Sequence, residues 1–467
     1  LDPVTEPTPA SLPRTLGLVA ATSIVIGGII GSGIFISPAI VAREVGAPGL
    51  SLGVWVVGGL VAACGSLCFA ELASAIPATG GTYVFLKRAY RAPVLAFLFG
   101  WSAFFVSFPG PIAAVATAFA EYASVFLGPI MPYGVWAKRI VAVTMILTLT
   151  AVNYVSTRSG GRVGVVATTL KAGALLGIVF VGLVLGGAQL DRLAPVAPPA
   201  ASLSSVIPAF GTGLIAVLFA YNGWTYSSYV GGEVKNPERN LPLSILAGIG
   251  ITIVLYVSVN LAFLTVMPFE RLQATNRPAA DLMEMVVGPP GAAVLALAVM
   301  VSTMGAANAV LLSCARSYFA MATDGLFFKT FDKVHPRWKT PSNAVLAQGL
   351  MASAFALSGS FEQIMTYYAF LDYFFFTLAV AAVMILRRTE PDLPRPYRVW
   401  GYPFTPLVFL VICAWYLGNT LLYRTSDSLV GILLTLTGLP FYFYWVRRRR
   451  TDPAVESKGR NHRPPTT

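Results

Sequence analysis

Residues 24–35, Ile24-Val-Ile-Gly-Gly-Ile-Ile-Gly-Ser-Gly-Ile-Phe35, set Gly27, Gly28, Gly31, Ser32 and Gly33 inside an apolar run long enough to belong to a membrane helix. Each glycine weakens a helix, so a continuous one is disfavoured there. In hydrocarbon an unpaired backbone N–H or C=O costs several kcal/mol, and a mid-membrane break survives only where it is buried in protein or lines a wet cavity. At such a break the second half-helix exposes amides at its positive dipole end, and the first exposes carbonyls at its negative end. Together they fit a zwitterion. The same glycines would also let a neighbouring helix pack closely, as small residues do in membrane bundles, and the stretch alone leaves both readings open.

A second interruption lies at Leu218-Phe219-Ala220-Tyr-Asn222-Gly223-Trp224, where Asn, Gly and a large aromatic residue fall in mid-span. Broken spans at corresponding positions of two halves point to the central site of a transporter. Lys171 is a third chemical feature, an ammonium several residues inside an apolar span. Such a charge costs about 2.5–3.5 kcal/mol at the centre of a bilayer and must find carbonyls or a counter-charge, or lose its proton. Further on, Tyr367, Tyr368, Phe370, Tyr373, Phe374, Phe375 and Phe376 crowd around Asp372. A lipid-facing surface is the commonest cause of such a cluster; alternatively one face, with Phe370 and Tyr373, is a gate.

These residues need membrane helices to position them. The chain has 467 residues, of which 56% are hydrophobic and 11% charged, with a mean hydropathy of +0.71. That excludes an ordinary soluble domain. Apolar runs of about 20 residues recur along the whole chain, roughly twelve in all, whereas a membrane β-barrel would show short alternating segments. The expected class is an all-α polytopic membrane protein with twelve transmembrane helices. The net charge of +12 is spread over short loops and a tail, so nucleic acid is not the expected partner and the lipid bilayer is. With a cytoplasmic N-terminus most Lys and Arg fall on the cytoplasmic side, which puts both termini there. Cys64, Cys68, Cys314 and Cys413 lie in or near apolar spans with no nearby His, and His335 and His462 fall in a loop and the tail. No metal, cofactor or enzyme chemistry is expected from them.

Along the chain, residues 1–14 read as a polar cytoplasmic arm, 15–187 as five spans, 205–387 as five more, 402–447 as two further spans, and 448–467 as a basic, disordered cytoplasmic tail. A short interfacial helix is expected over Tyr83 to Arg91. Pro109-Gly110-Pro111 should disturb the third span, and Ser159-Gly-Gly-Arg162 should be a loop before the fifth.

Three segments carry a family resemblance: Gly28-Ile-Ile-Gly31-Ser32-Gly33-Ile-Phe35; Ala70-Glu71-Leu with Pro77-Ala-Thr-Gly80-Gly81; and Phe219-Ala-Tyr-Asn222-Gly223-Trp224 followed by Glu233 and Asn236-Pro237-Glu-Arg239-Asn240-Leu-Pro242. From the first span to the tenth the chain resembles the amino acid, polyamine and organocation (APC) transporter superfamily, in particular the L-type amino acid transporters and their bacterial relatives. The resemblance implies a five-plus-five inverted repeat (LeuT-like) with discontinuous helices 1 and 6 and alternating access. It implies that a substrate carboxylate meets the amides of Ser32, Gly33 and Ile34 and the Ser32 hydroxyl, beside Gly31. The ammonium would meet carbonyls near Gly28 and Ile29, and of Phe219 and Ala220, with Asn222, Gly223 and Trp224 completing the site. Lys171 matches a fifth-helix lysine that stands in for sodium in sodium-independent members. No Cys lies in 126–137, where heteromeric relatives tether an ancillary glycoprotein, so no disulfide-linked subunit is expected.

The function expected is sodium-independent carriage of L-amino acids across the cell membrane, by exchange or linked to protons with Lys171 as the titrating group. Asn222 stands where many L-type members have a small residue, and no acid is clearly placed to receive a cationic side chain, which favours small or medium neutral substrates. A carrier of cationic amino acids or polyamines is the alternative within the fold. A channel would need rings of charge along several spans, and the chain does not have them.

Overall fold

A computed structural model of the chain describes residues 14–450 except 91, 129, 131, 133, 156, 199–201 and 359–360. All but the last residue of the polar arm expected over 1–14, and the tail from 451 onward, lie outside the described residues, as does the side chain of Tyr367. Regular structure among the described residues is helical, with two isolated β-bridges, Leu16 to Val234 and Thr79 to Val230. Eleven helices there are long and apolar enough to cross a bilayer. The helix at the ninth expected position, Ser342–Ser358, has 17 residues. At 1.5 Å per residue it reaches roughly 26 Å, short of a hydrocarbon core of about 30 Å.

The first and sixth spans are both broken. The first runs as Leu18–Ile29, stops, and restarts as Gly33–Val45. The sixth runs as Leu203–Tyr221 and resumes as the short turn of helix Tyr226–Tyr229, with Gly223 between them at φ 122°. The third span changes pitch where the prolines predicted trouble: Pro93–Ser102 passes through a π-helical turn, Ala103–Ser107, into Pro109–Leu127. Pro109 and Pro111 have no N–H to give to Phe105 and Ser107, and the Phe108 amide reaches back five residues to the Ala103 carbonyl at 3.1 Å. The loop expected at Ser159–Arg162 is instead part of a helix, Thr157–Phe180. Two glycines cost a helix about 1 kcal/mol each, too little to end one held by its neighbours.

The broken first span is enclosed. Its first half lies against Pro237–Val266, Thr157–Phe180 and Pro289–Thr323, and its second half against Leu203–Tyr221. Within the 18-residue apolar window of this span 89% is buried, against 28% for Val135–Val155, which shows Ile140 and Leu147 outward. The breaks are therefore at the centre of the bundle and the straight spans at its edge, where apolar side chains suit lipid.

Ionic contacts tie the end of the bundle where the N-terminal segment enters. The interfacial helix forms over Thr82–Tyr90, and its Lys87 and Arg88 pair with Asp324 and Glu390 at 2.5 and 2.7 Å. Glu71 accepts from Arg387 at 2.9 and 2.6 Å and from the Val399 amide at 2.6 Å. Arg316 and Glu233 form a pair at 2.8 Å with side chains 1% and 2% exposed. The carbonyl of Glu233 in turn takes the amides of Thr15 and Leu16 at 2.9 and 3.0 Å. Removing one member of a pair buried to this degree strands the other, at about 3–5 kcal/mol, whereas replacing both with apolar residues is close to neutral. Arg316→Met is expected to lower the apparent Tm in detergent, and Arg316→Met with Glu233→Met to recover most of the loss; a double variant no more stable than the single would refute that account.

Candidate functional site

The two breaks meet because their glycines let them. A Cβ on Gly33 would lie 2.6 Å from Ala220 Cα, and one on Gly223 2.5 Å from the carbonyl carbon of Gly28. One on Gly28 would strike the Tyr226 ring at 2.2 Å. Close packing and an opened backbone, the two readings of these glycines, are thus the same feature: the helices approach at the points where they unwind.

Around the breaks is a small, partly open cavity. Gly28, Ile29, Gly31, Ser32 and Gly33 line it from the first span, and Phe219, Ala220 and Asn222 from the sixth. Three residues expected at the site do not line it. Ile34 is buried among apolar side chains, Gly223 packs on the Gly28 backbone, and Trp224 is 0% exposed with its ring against Phe69, Phe376 and Phe409. The two gate candidates also lie away from the cavity lining. Phe370 packs with Val106 and Leu371, Tyr373 donates to the Leu218 carbonyl at 3.2 Å and meets the Tyr416 ring edge-on, and the aromatic residue of that helix at the cavity is Tyr368.

The restart of the first span has the polar groups of an anion site. Gly33 opens a helix of 13 residues, so its first amides have no intrahelical acceptor. Among the described residues no backbone acceptor outside the helices takes the amides of Ser32, Gly33 or Ile34. The Ser32 hydroxyl is buried and likewise has no partner. Four donors at a positive helix end suit a carboxylate.

The carbonyl side is more occupied than the sequence implied. The Tyr256 hydroxyl bridges the breaks, 2.8 Å from the Ile29 carbonyl and 3.3 Å from that of Ala220. The backbone N–H of Gly31 also donates to Ile29 O, and that of Asn222 to Phe219 O, at 2.8 and 3.1 Å. Each carbonyl has two lone pairs, and the negative helix ends remain. Lys171 is 0% exposed, and its ammonium lies 2.6 Å from both the Gly27 and the Ile30 carbonyls. It braces the first break from behind the cavity.

Sequence reasoning passed over Tyr256 and undervalued Asp372. Asp372 is 3% exposed and accepts from Asn222 Nδ2 at 3.2 Å. An acid in an apolar span was the available signal. The sequence showed no acid clearly placed to receive a cationic side chain; the structure puts Asp372 behind Asn222, outside the cavity lining. Tyr256 gave no such signal, since a tyrosine in a span is unremarkable until its hydroxyl is placed.

Residues 16–439 match the family model described as amino acid permease. The chain belongs to that family. The permease is 32% identical over 456 residues to the human (Homo sapiens) b(0,+)-type amino acid transporter 1, a match covering 94% of this chain and 90% of the relative. It is 32% identical over 449 residues to the Asc-type amino acid transporter 1 of Mus musculus, covering 95% and 83%. It is also 33% identical over 443 residues to the large neutral amino acids transporter small subunit 2 of Mus musculus, covering 93% and 82%. The relatives are named as transporters, and the permease is one of them rather than an enzyme.

Proposed function

We propose that the permease carries L-amino acids, small to medium neutral ones, across the cell membrane by alternating access. The observation that supports this most directly is the cluster of unpartnered donors at the restart of the first span, Ser32 with the amides of Gly33 and Ile34, facing the negative end of the sixth across a small cavity. The α-carboxylate sits on those amides and the α-ammonium by the carbonyls of Gly28 and Phe219. In this reading spans one to five and six to ten are inverted repeats, and the two broken helices rock against the rest. Tyr368, over the Phe219 ring at a centroid distance of 5.8 Å, is the gate in place of Phe370 and Tyr373.

Transport is independent of sodium in this reading, because the Lys171 ammonium sits on carbonyls that a cation would otherwise use. Both termini are cytoplasmic, in keeping with the Lys and Arg distribution. One relative is named a small subunit; here no second chain is tethered by a disulfide, since 126–137 contains no Cys and the four cysteines are free thiols in the spans. A cationic cargo is the second reading, and Asp372 is the observation in its favour.

Counterflow in proteoliposomes tests the proposal. Preloaded alanine should drive uptake of labelled alanine, serine and threonine without sodium, and lysine and putrescine should compete poorly. Uptake that needs no counter-substrate but follows an imposed pH gradient marks proton linkage; uptake that needs counter-substrate marks exchange. No amino acid carried under any of these conditions would sink the reading.

A further inference from the structure

We infer that Asp372 is a positioning residue that makes the permease select side chains bearing a hydrogen-bond donor over apolar side chains of the same shape. The inference rests on the amino acid reading of the cavity given above. Asp372 is not itself a cavity-lining residue; Asn222 is. The carboxylate oxygen Oδ2 of Asp372 lies 3.2 Å from Asn222 Nδ2 and accepts from it. A carboxylate accepts and does not donate, so the pairing settles which way the Asn222 amide is turned. The amide nitrogen is committed to the helix behind, and what Asn222 has left to offer is its carbonyl oxygen.

That oxygen, Asn222 Oδ1, is buried without a partner among the described residues. The Ser107 hydroxyl lies beside Asp372, and the Tyr368 hydroxyl lies beside both Asp372 and Tyr226. Tyr226 and Tyr368 line the cavity with Asn222. The Ser107 and Tyr368 hydroxyls can donate to Asp372, which leaves Asn222 Oδ1, on a residue lining the space where a substrate side chain must go, as the unmet acceptor. A buried acceptor left unmet carries a desolvation penalty, and a substrate with an O–H or N–H at its γ position removes it where a methyl group cannot.

Threonine and valine are nearly the same shape and differ in this one group, so they test the inference cleanly. In counterflow the unaltered permease is expected to prefer threonine to valine about tenfold in kcat/KM. In Asp372→Asn the partner can donate as well as accept, the Asn222 amide is no longer fixed, and the preference should fall to within about twofold of unity. Asn222→Leu keeps the volume and removes the acceptor, and should likewise erase the preference. The readout is a ratio within each variant, so a uniform loss of rate or of folded protein cancels. Should Asp372→Asn carry nothing, Asn222→Leu decides.

Equal handling of threonine and valine by the unaltered chain would overturn the inference, as would a preference that survives in either variant. Lysine carried by the unaltered chain and lost in Asp372→Asn would also overturn it, by showing the carboxylate in direct contact with a cation. Each of these requires that some amino acid is carried. Failure to carry any is a failure of the transport reading instead.

Discussion

Gly33→Leu is expected to reduce amino acid uptake to background, about a hundredfold or more, while leaving the chain inserted and monodisperse in detergent. A Cβ at this position would stand 2.6 Å from Ala220 Cα and 2.7 Å from Ala220 Cβ. Those atoms are backbone and the root of a side chain, not the free end of a flexible one, so relief requires the sixth helix to move away. The move would separate the two breaks and spoil the donor cluster, because Gly33 supplies one of the amides at the restart of the first span. Insertion should not suffer, since leucine is more apolar than glycine and membrane insertion depends on hydropathy. Gly33→Ala should give a smaller loss by the same mechanism. Uptake by Gly33→Leu near that of the unaltered chain would remove the site from between the broken helices.

The breaks were readable because they break a rule that the rest of the chain keeps. Glycines at 27, 28, 31 and 33 in a run of Ile and Val, or Asn222-Gly223 in a run of apolar residues, work against a helix that hydrocarbon otherwise enforces. Lys171 was readable for the same reason, since a charge in an apolar span needs a partner, and two carbonyls are there. The orientation of each helix was not readable. Lipid is as apolar as a protein interior, so a span shows no amphipathic stripe to mark its inner face. That is why Tyr368, rather than Phe370 or Tyr373, reaches the cavity without any sign in the aromatic cluster. It is also why Trp224, two residues from the lining residue Asn222, turns away from the cavity and is buried against Phe69 and Phe376. Val115 and Ala306 line the cavity as ordinary members of ordinary spans, and only packing distinguishes them.

Lys171 offers the second large effect, because its ammonium is part of the break itself. The first span unwinds between Ile29 and Gly33, and the carbonyls of Gly27, in the last turn before that gap, and of Ile30, within it, both accept from Nζ at 2.6 Å. Lys171→Met keeps most of the side-chain volume and removes the donors. Two carbonyls would then be left unmet in a site closed to solvent, each at about 1–3 kcal/mol, and the half-helix would be free to rewind or to tilt. Uptake is expected to fall at least tenfold at every pH tested, with KM raised because the proposed carboxylate site is built on the same break. Sodium should not stimulate the unaltered chain, whose ammonium already holds those carbonyls. If Lys171 also carries the coupled proton, whatever uptake the variant retains should no longer follow an imposed pH gradient. Full activity with the same response to pH as the unaltered chain would make the lysine a tolerated passenger, and the brace it forms on the broken helix would be dispensable to transport.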